Sequence, residues 1–156
     1  MRVILPGSYD PVTLGHLDLI RRAALEYEEV FAVIFVNPEK TYTFPLDDRV
    51  RMLMLATDGL DNVLVSYSNG RVVDYMREHE IEKIIKGYRD GTDLEYERVQ
   101  AEYNMKHGGF ETLLWQAAPE LVAVSSTLAR ESIREGAPLE KILPESVVNY
   151  IKTRFN

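Results

Sequence analysis

No cysteine occurs among the 156 residues, which excludes disulfides and thiolate chemistry and fits a cytosolic protein. Long apolar runs are missing too. The most hydrophobic stretch, Val30-Phe31-Ala32-Val33-Ile34-Phe35-Val36, has the length of a strand and falls far short of the ~20 residues of a membrane span. The first apolar stretch, Met1 to Leu5, is too short for a signal peptide, so neither a secretory leader nor a membrane partner is expected. Basic residues are the scarcer charge: 18 Lys and Arg stand against 25 Asp and Glu, a net charge of −7. That balance argues against nonspecific nucleic-acid binding, and any anion site must be a local basic cluster in an acidic chain. Repeats, low-complexity segments and linkers are absent as well. A single domain over residues 1–156 is expected, long enough to bury roughly two-thirds of its unfolded surface.

What is present alternates between strand and helix patterns. Arg2 to Leu5 reads as a strand, followed by a helix from about Leu14 to Tyr27 with Leu17, Ile20, Ala24 and Tyr27 on one face. Val30 to Val36 is the second strand. A helix near Leu46 to Thr57 follows, with Leu46, Val50, Leu53 and Thr57 as its expected buried stripe. Val63 to Tyr67, Lys83 to Lys86 and Glu111 to Gln116 complete five strands, with helices at Val72 to His79 and about Asp93 to Lys106. Two helices close the chain, Ser126 to Glu135 and one over about 144–154 opened by Pro144, with Val147, Val148, Ile151 and Phe155 apolar. The expected architecture is α/β: a Rossmann-like, doubly wound, parallel five-stranded sheet with helices on both faces and ligands at the carboxyl ends of the strands.

Polar residues gather where that rule puts a ligand. Strand one runs into Pro6-Gly7-Ser8-Tyr9-Asp10-Pro11-Val12-Thr13-Leu14-Gly15-His16, a glycine-containing turn leading into a helix. Backbone N–H groups and the positive helix end converge there, as in phosphate sites. Ser8 adds a hydroxyl and His16 an imidazole. Lys40 follows strand two, Lys86 and Arg89 follow strand four, and Ser125-Ser126-Thr127 follows strand five. Taken singly, each has an ordinary reading: Ser8 as a turn residue, Lys40 as a solvated lysine, the serines as helix caps. The positive helix end disfavours a protonated His16 and phosphate favours one, so both states stay open.

The first of these segments resembles the signature of the HxGH-type nucleotidyltransferases. Thr13-Leu14-Gly15-His16, with Thr where many members have His, resembles the phosphopantetheine adenylyltransferase subgroup in particular. Ile85-Lys86-Gly87-Tyr88-Arg89, followed by Asp93-Leu94-Glu95-Tyr96-Glu97 and Asn104, is similar to the same family. Lys86 departs from the usual arginine, keeping the charge but losing the planar two-pronged donor. Leu121-Val122-Ala123-Val124-Ser125-Ser126-Thr127 resembles the serine-rich segment lining the family's ATP site. Leu121 stands where an aromatic residue is usual. The resemblance spans about residues 2 to 135.

It implies an enzyme that transfers AMP from ATP to 4′-phosphopantetheine by direct in-line attack, giving dephospho-coenzyme A and pyrophosphate. His16 would stabilise charge in the transition state, with Ser8 and Lys40 beside it. ATP contacts are implied for Ser8, Tyr9, His16, Gly87, Tyr88, Arg89, Glu97 and the run Leu121 to Thr127. Acceptor contacts are implied for Ser8, Lys40, Val72 and Lys86. Mg²⁺ is expected on the ATP phosphates and not in a protein metal cage, and a homohexamer is implied by the family. The alternatives are a relative that adenylates nicotinamide mononucleotide or transfers cytidylyl groups, against which Thr13 and Lys40 speak, and a nucleotide-binding module without catalysis.

Overall fold

A computed structural model describes residues 1–155. Its elements are β1 (Arg2–Gly7), α1 (Leu14–Glu26), β2 (Glu29–Phe35), α2 (Leu46–Ala56), β3 (Val63–Ser68), α3 (Val72–Glu78), β4 (Lys83–Tyr88), α4 (Gly91–Gly108), β5 (Glu111–Gln116), a 3₁₀ turn (Pro119–Leu121), α5 (Ser126–Glu135) and α6 (Glu145–Phe155). The five strands form one sheet in the order β3-β2-β1-β4-β5, and every pair is parallel. After β3 the chain returns to the far side of β1, so the direction of winding reverses between β1 and β4. Such a reversal opens a crevice at the carboxyl ends of the two strands. The single-domain, Rossmann-like α/β architecture is therefore the one the sequence leads to.

Period-two alternation along the central strands explains the layers. Val3, Leu5, Val30, Ala32 and Ile34 face one core with Ile20 and Ala23 of α1, Met52 and Leu53 of α2, and Val147, Val148 and Ile151 of α6. Ile4, Phe31, Val33 and Ile84 face the other, with Tyr75 and Met76 of α3 and Ile81. Both faces are covered, which is why β2 is a nearly continuous apolar run. Among the described residues no helix is long and apolar enough to cross a membrane.

Three departures from the sequence expectation have physical causes. β1 and β4 each run two residues further than expected, to Gly7 and Tyr88, because Gly7 pairs with Ile34 and Gly87 with Trp115 in the parallel ladders. Ladder pairing overrides the poor strand propensity of proline and glycine. α4 is longer at both ends: Asp90 caps it by accepting from the Asp93 N–H at 2.9 Å, and Gly109 ends it at φ 72°. The buried face of α2 is rotated from the expected stripe. Leu53 and Thr57, the C-cap, are buried as expected, but Leu46 and Val50 are only half-buried and Asp48, Arg49, Met52 and Ala56 fill the rest of the buried face. Two charged residues hold that face because each has partners on other elements. Asp48 accepts from the Tyr150 hydroxyl at 2.5 Å and lies 3.4 Å from Arg154 Nε, both on α6. Phe155 is half-exposed but packs edge-on against Phe44, with ring centroids 5.3 Å apart.

Candidate active site

The loop between β1 and α1 forms the floor of the crevice. Tyr9 takes a left-handed backbone (φ 47°), and its buried ring props the loop from beneath. Its hydroxyl donates to the Leu5 carbonyl at 2.7 Å, and burial raises its pKa far above the ordinary tyrosine value. The hydroxyl is thus committed inside the fold, and Tyr9 offers the crevice its ring and backbone. A side chain at Gly7 would press on that ring, its Cβ lying 3.4 Å from Tyr9 Cε2.

Thr13 and His16 close the start of α1 reciprocally. The Thr13 hydroxyl accepts from the His16 N–H at 3.3 Å, and the Thr13 N–H donates to His16 Nδ1 at 3.0 Å. This is a capping box in which imidazole takes the part usually played by Glu or Gln. Because Nδ1 accepts a backbone hydrogen bond, the proton of the neutral ring belongs on Nε2. The residue is partly exposed where it meets the crevice and is otherwise packed into the fold. Desolvation first, and the positive charge of Lys86 second, push the imidazole down to about 4. At neutral pH it is an uncharged N–H donor.

Cations surround this donor. Lys40 Nζ donates to Ser8 Oγ at 3.4 Å, joining the loop after β2 to the loop after β1. Lys86 Nζ lies 3.4 Å from Glu97 Oε2 of α4, and Glu97 itself is buried. Arg89 is held by Asp93, with Nε donating to Oδ2 at 2.8 Å and the Arg89 N–H to the same oxygen at 3.2 Å. The Arg89 hydrogen bond keeps the Asp93 carboxyl below the usual carboxylate range. On the far wall Ser125 caps α5, Ser126 Oγ donates to the Pro11 carbonyl at 2.9 Å, and Arg130 Nη1 donates to the Asp10 carbonyl at 2.9 Å.

Two cavities share this rim. The larger, about 470 Å³, is lined by Ser8, Tyr9, His16, Lys40, Lys86, Gly87, Tyr88 and Arg89 from the strand ends, and by Leu121, Val124, Ser125 and Ser126 from the segment before α5. The smaller, about 240 Å³, lies between α4 and the sheet, and Val72, Glu97 and Asn104 are in its wall. Pro6, Gly7, Ser8 and Lys86 line both. Glu97 and Val72 thus belong to the smaller cavity. Val122 and Ala123 are exposed and line neither, and Thr127 is also outside them, its hydroxyl accepting from Arg130 at 3.2 Å. Among the described residues no group of three or more His, Asp or Glu side chains converges.

Sequence reasoning did not single out Asp10, Arg49 or Arg130, which the structure places behind or within the crevice. Asp10 sits inside the signature segment and so was within reach; Arg49 carries no local signal beyond its place in a helix.

Two cavities thus meet at the switch point of a parallel sheet, with an imidazole donor and three cations around them. The family described as cytidylyltransferase-like matches residues 4–132. That match takes in most of β1, all of β2 to β5 and most of α5, with all of the rim residues just described. The chain belongs to this cytidylyltransferase-like family of nucleotidyltransferases.

Proposed function

We propose that the protein transfers AMP from ATP to 4′-phosphopantetheine, giving dephospho-coenzyme A and pyrophosphate. The observation that carries this reading is the pair of cavities meeting at Ser8 and Lys86. The larger has the size and the polar, cationic rim that a nucleoside triphosphate needs. The smaller, about 240 Å³, has Val72 and Phe35 as apolar wall and shares Lys86 with the larger, which suits an amide-bearing arm ending in a phosphate.

In this reaction an oxygen of the acceptor phosphate attacks the α-phosphorus. A new P–O bond forms as the bond to the bridging oxygen of the β-phosphate breaks, and pyrophosphate leaves with the electron pair. The attacking phosphate is already ionised, so no general base and no covalent enzyme intermediate is needed. The site has to align the reactants and neutralise charge. Ser8 and Lys86 orient the acceptor phosphate where the chambers join. Lys40 bridges that phosphate and the reacting centre, and Arg89 takes the outer phosphates. His16 donates from Nε2 to the charge that develops on the α-phosphoryl oxygens. Leu121 to Thr127 brings the capped start of α5 to the nucleotide side, and Gly87 and Tyr88 form the edge of the same chamber. Mg²⁺ carried on the ATP phosphates would supply further charge neutralisation beside Lys40, Lys86 and Arg89. A cytosolic homohexamer without nucleic-acid or membrane partners completes the proposal.

Pyrophosphate release from ATP and Mg²⁺ with 4′-phosphopantetheine, nicotinamide mononucleotide or no acceptor tests it. Release with 4′-phosphopantetheine alone, falling ~10²–10³-fold in His16→Ala, is the expected result. Turnover only with another acceptor would overturn the substrate. Silence with every acceptor despite ATP binding would leave a binding module.

A further inference from the structure

Two buried charges, Arg49 behind the rim and Asp10 in the wall of the larger cavity, are each bonded to the backbone of segments that carry rim residues. Arg49 on α2 is 2% exposed, and Asp10 in the β1–α1 loop is 5% exposed. Arg49 spends its charge on the backbone: Nε donates to the Phe44 carbonyl and Nη1 to the Ser8 carbonyl, both at 3.0 Å. Its guanidinium also stacks on Tyr42, 4.0 Å from the ring centroid, and Lys40 Nζ lies over that same ring at 5.5 Å. Asp10 spends its charge likewise, accepting from the Thr43 N–H at 2.8 Å and the Phe44 N–H at 2.9 Å. One cation and one anion therefore clamp the Lys40 segment onto the loop that carries Ser8. Desolvating two charges is expensive, and these bonds to fixed backbone groups offset the cost only while both loops keep their places.

We propose that Arg49 is a positioning residue that sets the spacing between Ser8 and Lys40, with Asp10 as its counterpart across the same segment. The inference rests on the transfer reading for its rate assay. Arg49 lines neither cavity, and the carboxylate oxygens of Asp10 are bound to the Thr43 and Phe44 N–H groups, so each acts through the residues it holds. The geometry requires a planar, forked donor: Nε and Nη1 reach carbonyls on two different loops, which a lysine ammonium at the end of a flexible stem cannot do with the same rigidity. Lys40 is long and exposed, and its hydrogen bond to Ser8, at 3.4 Å, is weak. Its position comes from the backbone beneath it. A displacement of about 1 Å at such a group costs about 10²-fold in rate.

The test is a double-mutant cycle on kcat with wild type, Arg49→Lys, Lys40→Ala and the pair, using ATP, Mg²⁺ and 4′-phosphopantetheine. Arg49→Lys should lower kcat about tenfold or more while the KM for ATP stays within about twofold. Lys40→Ala should then cost far less in the Arg49→Lys background than in wild type, because the lysine has already lost its place. Asp10→Asn, which keeps the shape and one acceptor oxygen, should show the same split and the same coupling, and serves if Arg49→Lys folds poorly. A wild-type kcat in both variants, or losses that simply multiply with that of Lys40→Ala, would overturn the inference. If wild type turns over no acceptor, the transfer reading fails by itself, and the cycle is read on the dissociation constant of inorganic pyrophosphate with the same criterion.

Discussion

His16 is held neutral by its surroundings, and the consequence is measurable in the absence of any substrate. Its imidazole is pushed from 6.5 down to about 4, chiefly by burial and secondly by Lys86. Above pH 6.5 the ring is neutral in both folded and unfolded chains and contributes nothing to pH dependence. As pH falls below 6.5 the unfolded chain takes up a proton that the folded protein refuses, so stability is lost between pH 6.5 and about 4 and no further loss comes from this group below that. At 1.36 kcal/mol per pKa unit the full shift corresponds to about 3 kcal/mol. The ring meets a water-accessible crevice, which screens part of this, so about 1–3 kcal/mol is expected. For a chain of this length that equals a drop in Tm of about 2–10 °C. The reference is His16→Gln, because glutamine at this position still completes the capping box with Thr13. Thermal unfolding of both proteins from pH 7.5 to 4 should show wild type losing stability relative to the variant. A proton NMR titration of the imidazole should give a midpoint well below 6.5, and pyrophosphate should move it upward by supplying negative charge. Parallel stability curves, or a ring titrating near 6.5, would refute the argument that the transition-state donor is a neutral imidazole.

Lys86 gives a second expectation: Lys86→Arg restores a planar fork at the junction of the two chambers, so the KM for the phosphate-bearing acceptor should fall about 3–10-fold with kcat nearly unchanged, and steady-state kinetics with varied acceptor reads this directly. Gly108 gives a third, concerning the fold that supports α4. A Cβ there would lie 2.7 Å from Val73 Cγ1 and 2.9 Å from Phe110 Cδ2, so Gly108→Ala should cost about 1–3 kcal/mol in denaturant unfolding, whereas Gly91→Ala, with open space around it, should cost nothing.

Much of the fold is legible from local pattern alone. Glu111–Gln116 and Ser126–Glu135 have the bounds that alternation and capping imply, because a strand flanked by turns and a Ser-capped helix are short-range signals. The orientation of α2 is not legible. Asp48 and Arg49 read as a solvated face, and only partners on α6 and the β1 loop make their burial affordable. The candidate site divides the same way. Ser8, His16, Lys40, Lys86 and Arg89 stand out because they follow strand ends, and the resemblance to a nucleotidyltransferase subgroup names them. Local sequence cannot reveal that Glu97 pairs with Lys86 and faces the smaller chamber, since that contact joins α4 to β4 across the sheet. The division into two cavities is likewise a property of how α4 stands off the sheet, with only Glu97 buried along its length.

The central claim is that the larger chamber takes ATP and the smaller the arm of 4′-phosphopantetheine, with direct transfer to its phosphate where the two join. The most direct test is the mass of the product formed when ATP and CTP compete for 4′-phosphopantetheine in the presence of Mg²⁺. The account predicts an acceptor extended by AMP, in one-to-one amount with pyrophosphate. An acceptor extended by CMP, or one left unextended while the enzyme turns over a different phosphate acceptor, would contradict it.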